Sequence, residues 1–258
     1  MQDLDLQIEY WNQMGPLKPF AHPVNLARLK EYVDPACRIL DFGCGYGRVA
    51  GFLWSHGYHN VIGVDPAPAM VAAARARFPE LEIHVLADAP HVGVPDASVG
   101  AVLLFTVLTC VPGDAGQRAI VQEATRVLVP GGLLYISDLW LQSDRRNIAR
   151  YEAGERRHGV YGIFDLPEGV TVRHHERRWI EELTDGFERL AVDEFEAQTM
   201  NGHPAGAFQW FGRKRPRSSF LPAARRIWLM AEGVWQTPPE AKPSAMICNA
   251  GGLVCAHL

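Results

Sequence analysis

The stretch Ile39-Leu40-Asp41-Phe42-Gly43-Cys44-Gly45-Tyr46-Gly47-Arg48-Val49 constrains the fold of this chain more tightly than any other. An apolar run with a carboxylate near its end, then alternating glycines, then apolar residues at helical spacing (Val49, Phe52, Leu53) reads as strand, tight turn and helix. Glycine accepts positive φ and lets the backbone pass close to a ligand, and the helix that follows offers unpaired N–H groups at its start. The turn is expected to floor a nucleotide-type pocket.

The same grammar recurs downstream. Asn60-Val61-Ile62-Gly63-Val64-Asp65 is a second apolar run ending in an acid, followed by a helix through Met70, Ala72 and Ala74 to Phe78. Leu81 to Ala89 alternates apolar and polar residues and reads as a third strand reaching Asp88. Val99 to Phe105 is almost continuously apolar, as a central parallel strand is, with Phe105 and Thr106 at its carboxyl end. A helix from about 116 to 128 and a fifth strand over Leu133–Asp138 follow, and 190–197 with 207–213 reads as a final strand pair. Strands alternating with helices require a parallel sheet with right-handed crossovers.

The chemistry of the turn narrows its ligand. A dinucleotide fingerprint wants its third glycine three residues after the second, where this chain has Arg48; the third glycine arrives early, at Gly47. Asp41, just before the turn, would repel a pyrophosphate and suits a ligand with an ammonium group. S-adenosylmethionine is cationic and phosphate-free, and still presents a ribose and an adenine. On this reading Asp41 orders the amino-acid end, Asp65 takes the ribose hydroxyls about twenty residues after the glycines, and Asp88 with the Ala89 N–H reads the adenine edge. Cofactor contacts are expected from Tyr10, Asp41, Gly43, Cys44, Gly45, Asp65, Pro66, Met70, Asp88, Ala89 and Phe105.

Composition excludes several other classes. In 258 residues, 48% are hydrophobic and 21% charged, and the formal charge of −4 gives no reason to expect a polyanionic partner. Nucleic acid and membrane are not expected partners: no apolar run is long enough to cross a bilayer, and the acidic start Met1-Gln2-Asp3-Leu4-Asp5 is unlike a leader. A cytoplasmic protein is expected. The five cysteines (Cys37, Cys44, Cys110, Cys248, Cys255) are scattered with no metal-ligand spacing, so they read as reduced thiols and no metal site is expected.

Two segments flank the expected core, residues 36–216, and a third interrupts it. Residues 1–35 carry Tyr10, Trp11, Phe20 and His22 among prolines, and read either as a lid over the pocket or as a helix packed on the sheet. An insertion at about 139–172 holds Arg145, Arg146, Arg150, Arg156 and Arg157, either a solvated helical face or a clamp for an anionic substrate. The tail 217–258 mixes an amphipathic stretch with prolines and either packs back on the domain or serves a partner chain; a homodimer is left open.

The sequence resembles the class I S-adenosylmethionine-dependent methyltransferases, over roughly residues 36–214. The matching motifs are Leu40-Asp41-Phe42-Gly43-Cys44-Gly45-Tyr46-Gly47, Gly63-Val64-Asp65, Ala87-Asp88-Ala89, the strand through Phe105, and Arg126-Val127-Leu128-Val129-Pro130-Gly131-Gly132-Leu133. The resemblance implies an α/β doubly wound, Rossmann-like, seven-stranded, mostly parallel sheet with an antiparallel C-terminal hairpin, and methyl transfer from S-adenosylmethionine. Nucleic-acid amino methyltransferases carry an Asn/Asp-Pro-Pro-aromatic run after the fourth strand, where this chain has Phe105-Thr106-Val107-Leu108; cytosine-C5 enzymes use a Pro-Cys nucleophile, which Cys110-Val111-Pro112 does not supply. The acceptor is therefore expected to be an O or N atom of a small metabolite. Many small-molecule members carry histidine just after the fourth strand, and Leu108-Thr109-Cys110-Val111 holds none, so the candidate bases lie elsewhere: His22, His174, His175 and His203. The competing readings are a cofactor-binding regulatory or assembly subunit, a methyltransferase acting on protein, and a nicotinamide oxidoreductase.

Overall fold

The computed structural model describes residues 7–216; the 217–258 tail discussed above lies outside the described residues. In chain order the elements are α1 (Ile8–Met14), a 3-10 turn (Gly15–Leu17), α2 (Leu26–Tyr32), β1 (Ile39–Phe42), α3 (Arg48–Ser55), β2 (Val61–Asp65), α4 (Pro68–Arg77), β3 (Glu82–Val85) and β4 (Val99–Phe105). There follow α5 (Val107–Cys110), α6 (Asp114–Val127), β5 (Leu128–Leu139), α7 (Arg145–His158), β6 (Ile163–Asp165), β7 (Thr171–Arg173), α8 (Arg177–Leu183), β8 (Phe187–Gln198) and β9 (Pro204–Lys214).

Seven strands form one sheet in the order β3-β2-β1-β4-β5-β9-β8. The first five run parallel, and β9 joins β5 and β8 antiparallel. This is the expected architecture. The strand order reverses between β1 and β4, and in open α/β sheets the crevice beyond the carboxyl ends at such a point receives ligands. Every residue of β1 and β2 is buried, which explains their unbroken apolar runs: helices cover both faces.

The third strand is shorter than its sequence pattern. β3 is an edge strand paired only with β2, and the last pair is Asp65 with Val85. Once the neighbour ends there is no ladder to continue, and residues 87–90 turn instead. Asp88 is thus three residues beyond the strand, not at its end.

Two apolar layers lie on the faces of the sheet. A third cluster joins Trp11, Ala67, Met70, Tyr151, Phe164, Leu166, Val170 and Val172, from the N-terminal arm, the start of α4 and the 139–172 insertion. Specific polar bonds fasten the arm. Asn12 Oδ1 accepts from Ala69 N at 2.9 Å and so caps α4, and the Gln7 amide exchanges two 2.7 Å hydrogen bonds with the Thr171 backbone. Lys18, Glu168 and Asn201 form a closed triangle of bonds between 2.8 and 3.0 Å across three segments.

Within the insertion, α7 opens at Asp144, whose carboxylate accepts from Asn147 N, and closes at Gly159 with φ 75°. Gly154 sets its packing: a Cβ there would sit 1.8 Å from the Ile163 carbonyl oxygen, so only glycine lets α7 approach β6 this closely.

Candidate active site

The glycine turn is held from below. Gly43 N and Cys44 N donate to Val64 O at 2.8 and 3.0 Å, tying the turn to the end of β2. Gly43 has φ 70° and Gly45 φ 56°, and a Cβ on Gly43 would lie 2.6 Å from Val107 Cγ2. Both glycines are therefore demanded by backbone shape, and at Gly43 by space as well.

Asp41 is buried, and its Oδ2 accepts from Ala50 N at 3.1 Å, capping α3. Burial pushes its carboxyl up to about 7, against the pull of the nearby Arg48 charge and the Ala50 N–H, with Asp65 pushing the same way as burial. Each Asp65 oxygen takes one backbone donor at 2.9 Å, Oδ2 from Gly45 N and Oδ1 from Ala67 N. Burial nevertheless raises its pKa to about 6. A carboxylate has about four lone-pair positions, so Asp65 is fixed in place with acceptor capacity left over.

These groups line a first cavity. Of the residues expected from the sequence, Asp41, Gly43, Cys44, Gly45, Asp65, Pro66, Met70, Ala89 and Phe105 line it. Tyr10 and Asp88 do not: Tyr10 packs edge-on against Trp11 with ring centres 4.9 Å apart, and Asp88 is exposed in the turn after β3. The sequence reading missed Tyr46, Arg48, Leu86 and Pro90 as lining groups, and gave Phe20 no more than a place in the arm. Arg48 directly follows the glycines, and that adjacency was the available signal.

A second cavity adjoins the first and shares Phe20, Thr106 and Cys110 with it. Its walls come from the arm, from α7 and the β6–β7 hairpin, and from the β8–β9 turn. The four histidines separate here. His22 lines this cavity with Nδ1 3.0 Å from Ser137 Oγ, and burial with the Arg48 charge lowers its pKa to about 4 against the pull of Asp138. His174 also lines it, but its Nδ1 is 2.6 Å from the Tyr151 hydroxyl, which itself accepts from Gln142 N. This bond occupies Nδ1, as an acceptor from the Tyr151 hydroxyl or as a donor to it, according to the tautomer. Burial and the neighbouring His175 lower the His174 pKa to about 3. His175 lines neither cavity; its Nε2 is 3.6 Å from Asp138 Oδ1, beyond hydrogen-bond reach. His203 lines the cavity from the exposed β8–β9 turn.

Asp138 is fully buried behind Thr109, a wall of the second cavity. Burial raises its pKa, but His175, Thr109 and the Leu139 N–H outweigh that and leave it lowered. Thr109 donates both its hydroxyl and its backbone N–H to this carboxylate. Among the described residues no group of three or more His, Cys, Asp or Glu could hold a metal ion, and no helix is long and apolar enough to cross a membrane.

A parallel sheet reversed in its last strands, with a glycine turn and fixed carboxylates over a switch-point cavity, defines a Rossmann-like methyltransferase fold. Residues 40–136 match the family model described as a methyltransferase domain. An uncharacterized methyltransferase of Mycobacterium tuberculosis is 36% identical over 161 residues, 60% of this chain and 63% of that protein. A ubiquinone biosynthesis O-methyltransferase of Xanthomonas axonopodis pv. citri is 32% identical over 136 residues, 50% of this chain and 56% of that protein. The matches thus span less than two thirds of these relatives' length. Among solved structures, an S-adenosylmethionine-dependent methyltransferase from Methanosarcina mazei shares the fold with a TM-score of 0.69 at 24% identity, covering 75% of this chain and 98% of that one. Another, from Anabaena variabilis, has a TM-score of 0.59 at 20% identity, covering 83% and 96%. The match over residues 40–136 and the shared fold make this chain similar to S-adenosylmethionine-dependent methyltransferases.

Proposed function

We propose that this chain transfers a methyl group from S-adenosylmethionine, held in the first cavity, to an oxygen or nitrogen atom of a small metabolite held in the second. The observation that carries this reading is the meeting of the two cavities at Phe20, Thr106 and Cys110. The second cavity has a volume of about 320 Å³, the scale of a small-molecule site.

The residues of the first cavity fit that cofactor. Asp65, braced by two N–H donors, has lone pairs left for ribose hydroxyls. Asp41 and Arg48 offer opposite charges to an ammonium and a carboxylate, and Met70, Leu86 and Pro90 are apolar walls suited to adenine. Asp88 and Tyr10 have no part in this contact set. When bound, S-adenosylmethionine supplies a methyl group on a positively charged sulfur, so the leaving group is already activated. The protein's share is alignment of the acceptor and exclusion of water. The Trp11 and Phe20 side chains of the N-terminal arm serve the second purpose.

An oxygen acceptor also has a proton to lose, and His22 is our candidate to receive it. The tautomer that carries its proton on Nδ1, toward Ser137, leaves Nε2 free to accept. An imidazole with a pKa near 4 is neutral at physiological pH but holds a proton weakly, so its role is to orient the hydroxyl and take the proton as the bond forms. The test is calorimetric binding of S-adenosylhomocysteine and NAD, followed by assays of transfer to a panel of phenols, alcohols and amines. Binding of S-adenosylhomocysteine and not NAD, with turnover on at least one acceptor, is expected. His22→Gln should then lower kcat for a hydroxyl acceptor by tenfold or more with little change in KM. Tight binding without turnover across the panel would favour the regulatory-subunit reading instead.

A further inference from the structure

We propose that the acceptor is an anion, a small molecule with an apolar body and a carboxylate that Arg150 and Arg146 receive at the α7 wall of the second cavity. This deepens the functional reading above and rests on it for the identity of the cavity as the acceptor site.

The first observation is an arrangement of charge. Arg146 and Arg150 are one turn apart on α7, and both line the cavity. Residues four apart share a helix face, so both guanidinium groups serve one site. Among the described residues neither takes part in an ion pair, although other arginines of this region do. Arg157 pairs with Asp165, Arg173 with Asp114 at 2.5 Å, and Arg177 with Glu194 at 2.5 Å. Arg145 and Arg156 are also without ion pairs and, like Arg146, are exposed, but they line neither cavity. Two like charges facing one space repel, and burial together with the Arg146 charge lowers the pKa of Arg150. An anion between them removes that penalty.

The second observation is that Arg150 is held in place. It is half-buried, with its guanidinium 5.4 Å from the centre of the Phe164 ring, itself a cavity wall. Stacking on an aromatic face fixes the plane of the guanidinium and leaves its edge donors free, the geometry that suits two-point binding of a carboxylate. Gly154, one turn further along α7, permits the close approach to β6 that brings Phe164 beneath Arg150.

The third observation concerns Asp144, the one carboxylate among the described residues that line the cavity. Asp144 caps α7, with Oδ1 accepting from Asn147 N at 3.1 Å and Oδ2 from Asn147 Nδ2 at 2.6 Å. Its hydrogen bonds go to the helix end and it forms no ion pair with either arginine, although its charge and that of Glu168 both act on Arg150. Leu139, Leu166 and Val172 are apolar walls of the same cavity, and Thr106 and Cys110 are shared with the first. The apolar body of the acceptor rests on these walls.

The test uses protein saturated with S-adenosylhomocysteine and three matched probe pairs: benzoate, 4-hydroxycinnamate and octanoate, each against its own neutral amide, by calorimetry. At least one acid should bind tenfold or more tightly than its amide, with a preference that weakens as salt rises. Arg150→Met and Arg146→Gln should each reduce that preference, and together abolish it, with affinity for S-adenosylhomocysteine within twofold of the parent as the check on folding. Arg150→Lys should restore part of it. The proposal is overturned if no acid binds more tightly than its amide, or if the preference survives in the double variant. If S-adenosylhomocysteine itself fails to bind, the methyltransferase reading falls, and the acid-against-amide comparison on the cofactor-free protein still judges the anion site.

Discussion

At the scale of single residues, the same side chain does structural and ligand-facing work at both carboxylates of the first cavity. Asp65 ties the glycine turn to the start of α4 and keeps acceptor capacity in reserve. Asp65→Ala should weaken S-adenosylhomocysteine binding by tenfold or more, since it removes the proposed ribose partner and also leaves the Gly45 and Ala67 donors without their acceptor. Calorimetry on the variant checks this, and unchanged affinity would remove Asp65 from the cofactor site. Asp41 makes a pH prediction. Its carboxyl titrates near 7 and that of Asp65 near 6 in the free protein, so both are partly protonated around neutrality. A bound ammonium group favours the ionised forms, so binding should release protons and affinity should rise between pH 6 and 8. Asp41→Asn, which keeps an acceptor for Ala50 N, should flatten the upper part of that rise. A pH-independent affinity in the parent would show that Asp41 does not meet the ammonium.

At the scale of elements, the second cavity depends on how closely α7 lies against β6. Gly154→Ala puts a methyl group 1.8 Å from the Ile163 carbonyl, a backbone clash that rotamer changes do not relieve. The expected cost is about 1–3 kcal/mol, a fall in Tm of several degrees. Because α7 must shift away from Phe164, the acid preference of the second cavity should decline in the same variant while cofactor affinity holds. The N-terminal arm is fastened by Asn12 at α4 and by Gln7 at β7, two elements more than 90 residues apart in sequence. It therefore braces the insertion against the core and also contributes Trp11 and Phe20 to the cavity wall.

For the whole molecule, the buried histidines set the acid side of the stability profile. His22 and His174 have folded-state pKa values of about 4 and about 3, below the ordinary 6.5. Unfolded histidine binds protons that the folded protein refuses, so this stability is full above pH 6.5 and is lost as pH falls toward 3. Asp41 and Asp65 act in the opposite sense: their raised values contribute stability below pH 3.8 that is lost as pH rises through 6 and 7. His174→Gln, which can still accept from Tyr151, should lose less stability than the parent between pH 6.5 and 4. The difference should be up to roughly 1.4 kcal/mol per pH unit, read by denaturant unfolding. Equal slopes in the two proteins would mean that His174 is charged in the fold.

The alternation of strands and helices, the glycine turn and the place of Asp65 were all legible in the linear sequence. Each rests on short-range rules: side-chain period, the φ demanded of glycine, and the direction in which a strand delivers its last residue. Asp88 fits the same local pattern, and the local pattern misplaced it, because an edge strand ends where its one neighbour ends. Nothing within a few residues of His22, His174, His175 or His203 distinguishes them; what does is Ser137, Tyr151 and Asp138, brought from elsewhere in the chain. Likewise the arginines of α7 read as a solvated face until Phe164 and the absence of ion pairs at Arg146 and Arg150, among the described residues, single those two out. The sequence by itself thus determined the scaffold and the turn, because backbone geometry and burial period are local. Only the tertiary structure decided which side chains share a cavity, because that depends on contacts between segments far apart in the chain, such as Lys18 with Glu168 and Asn201.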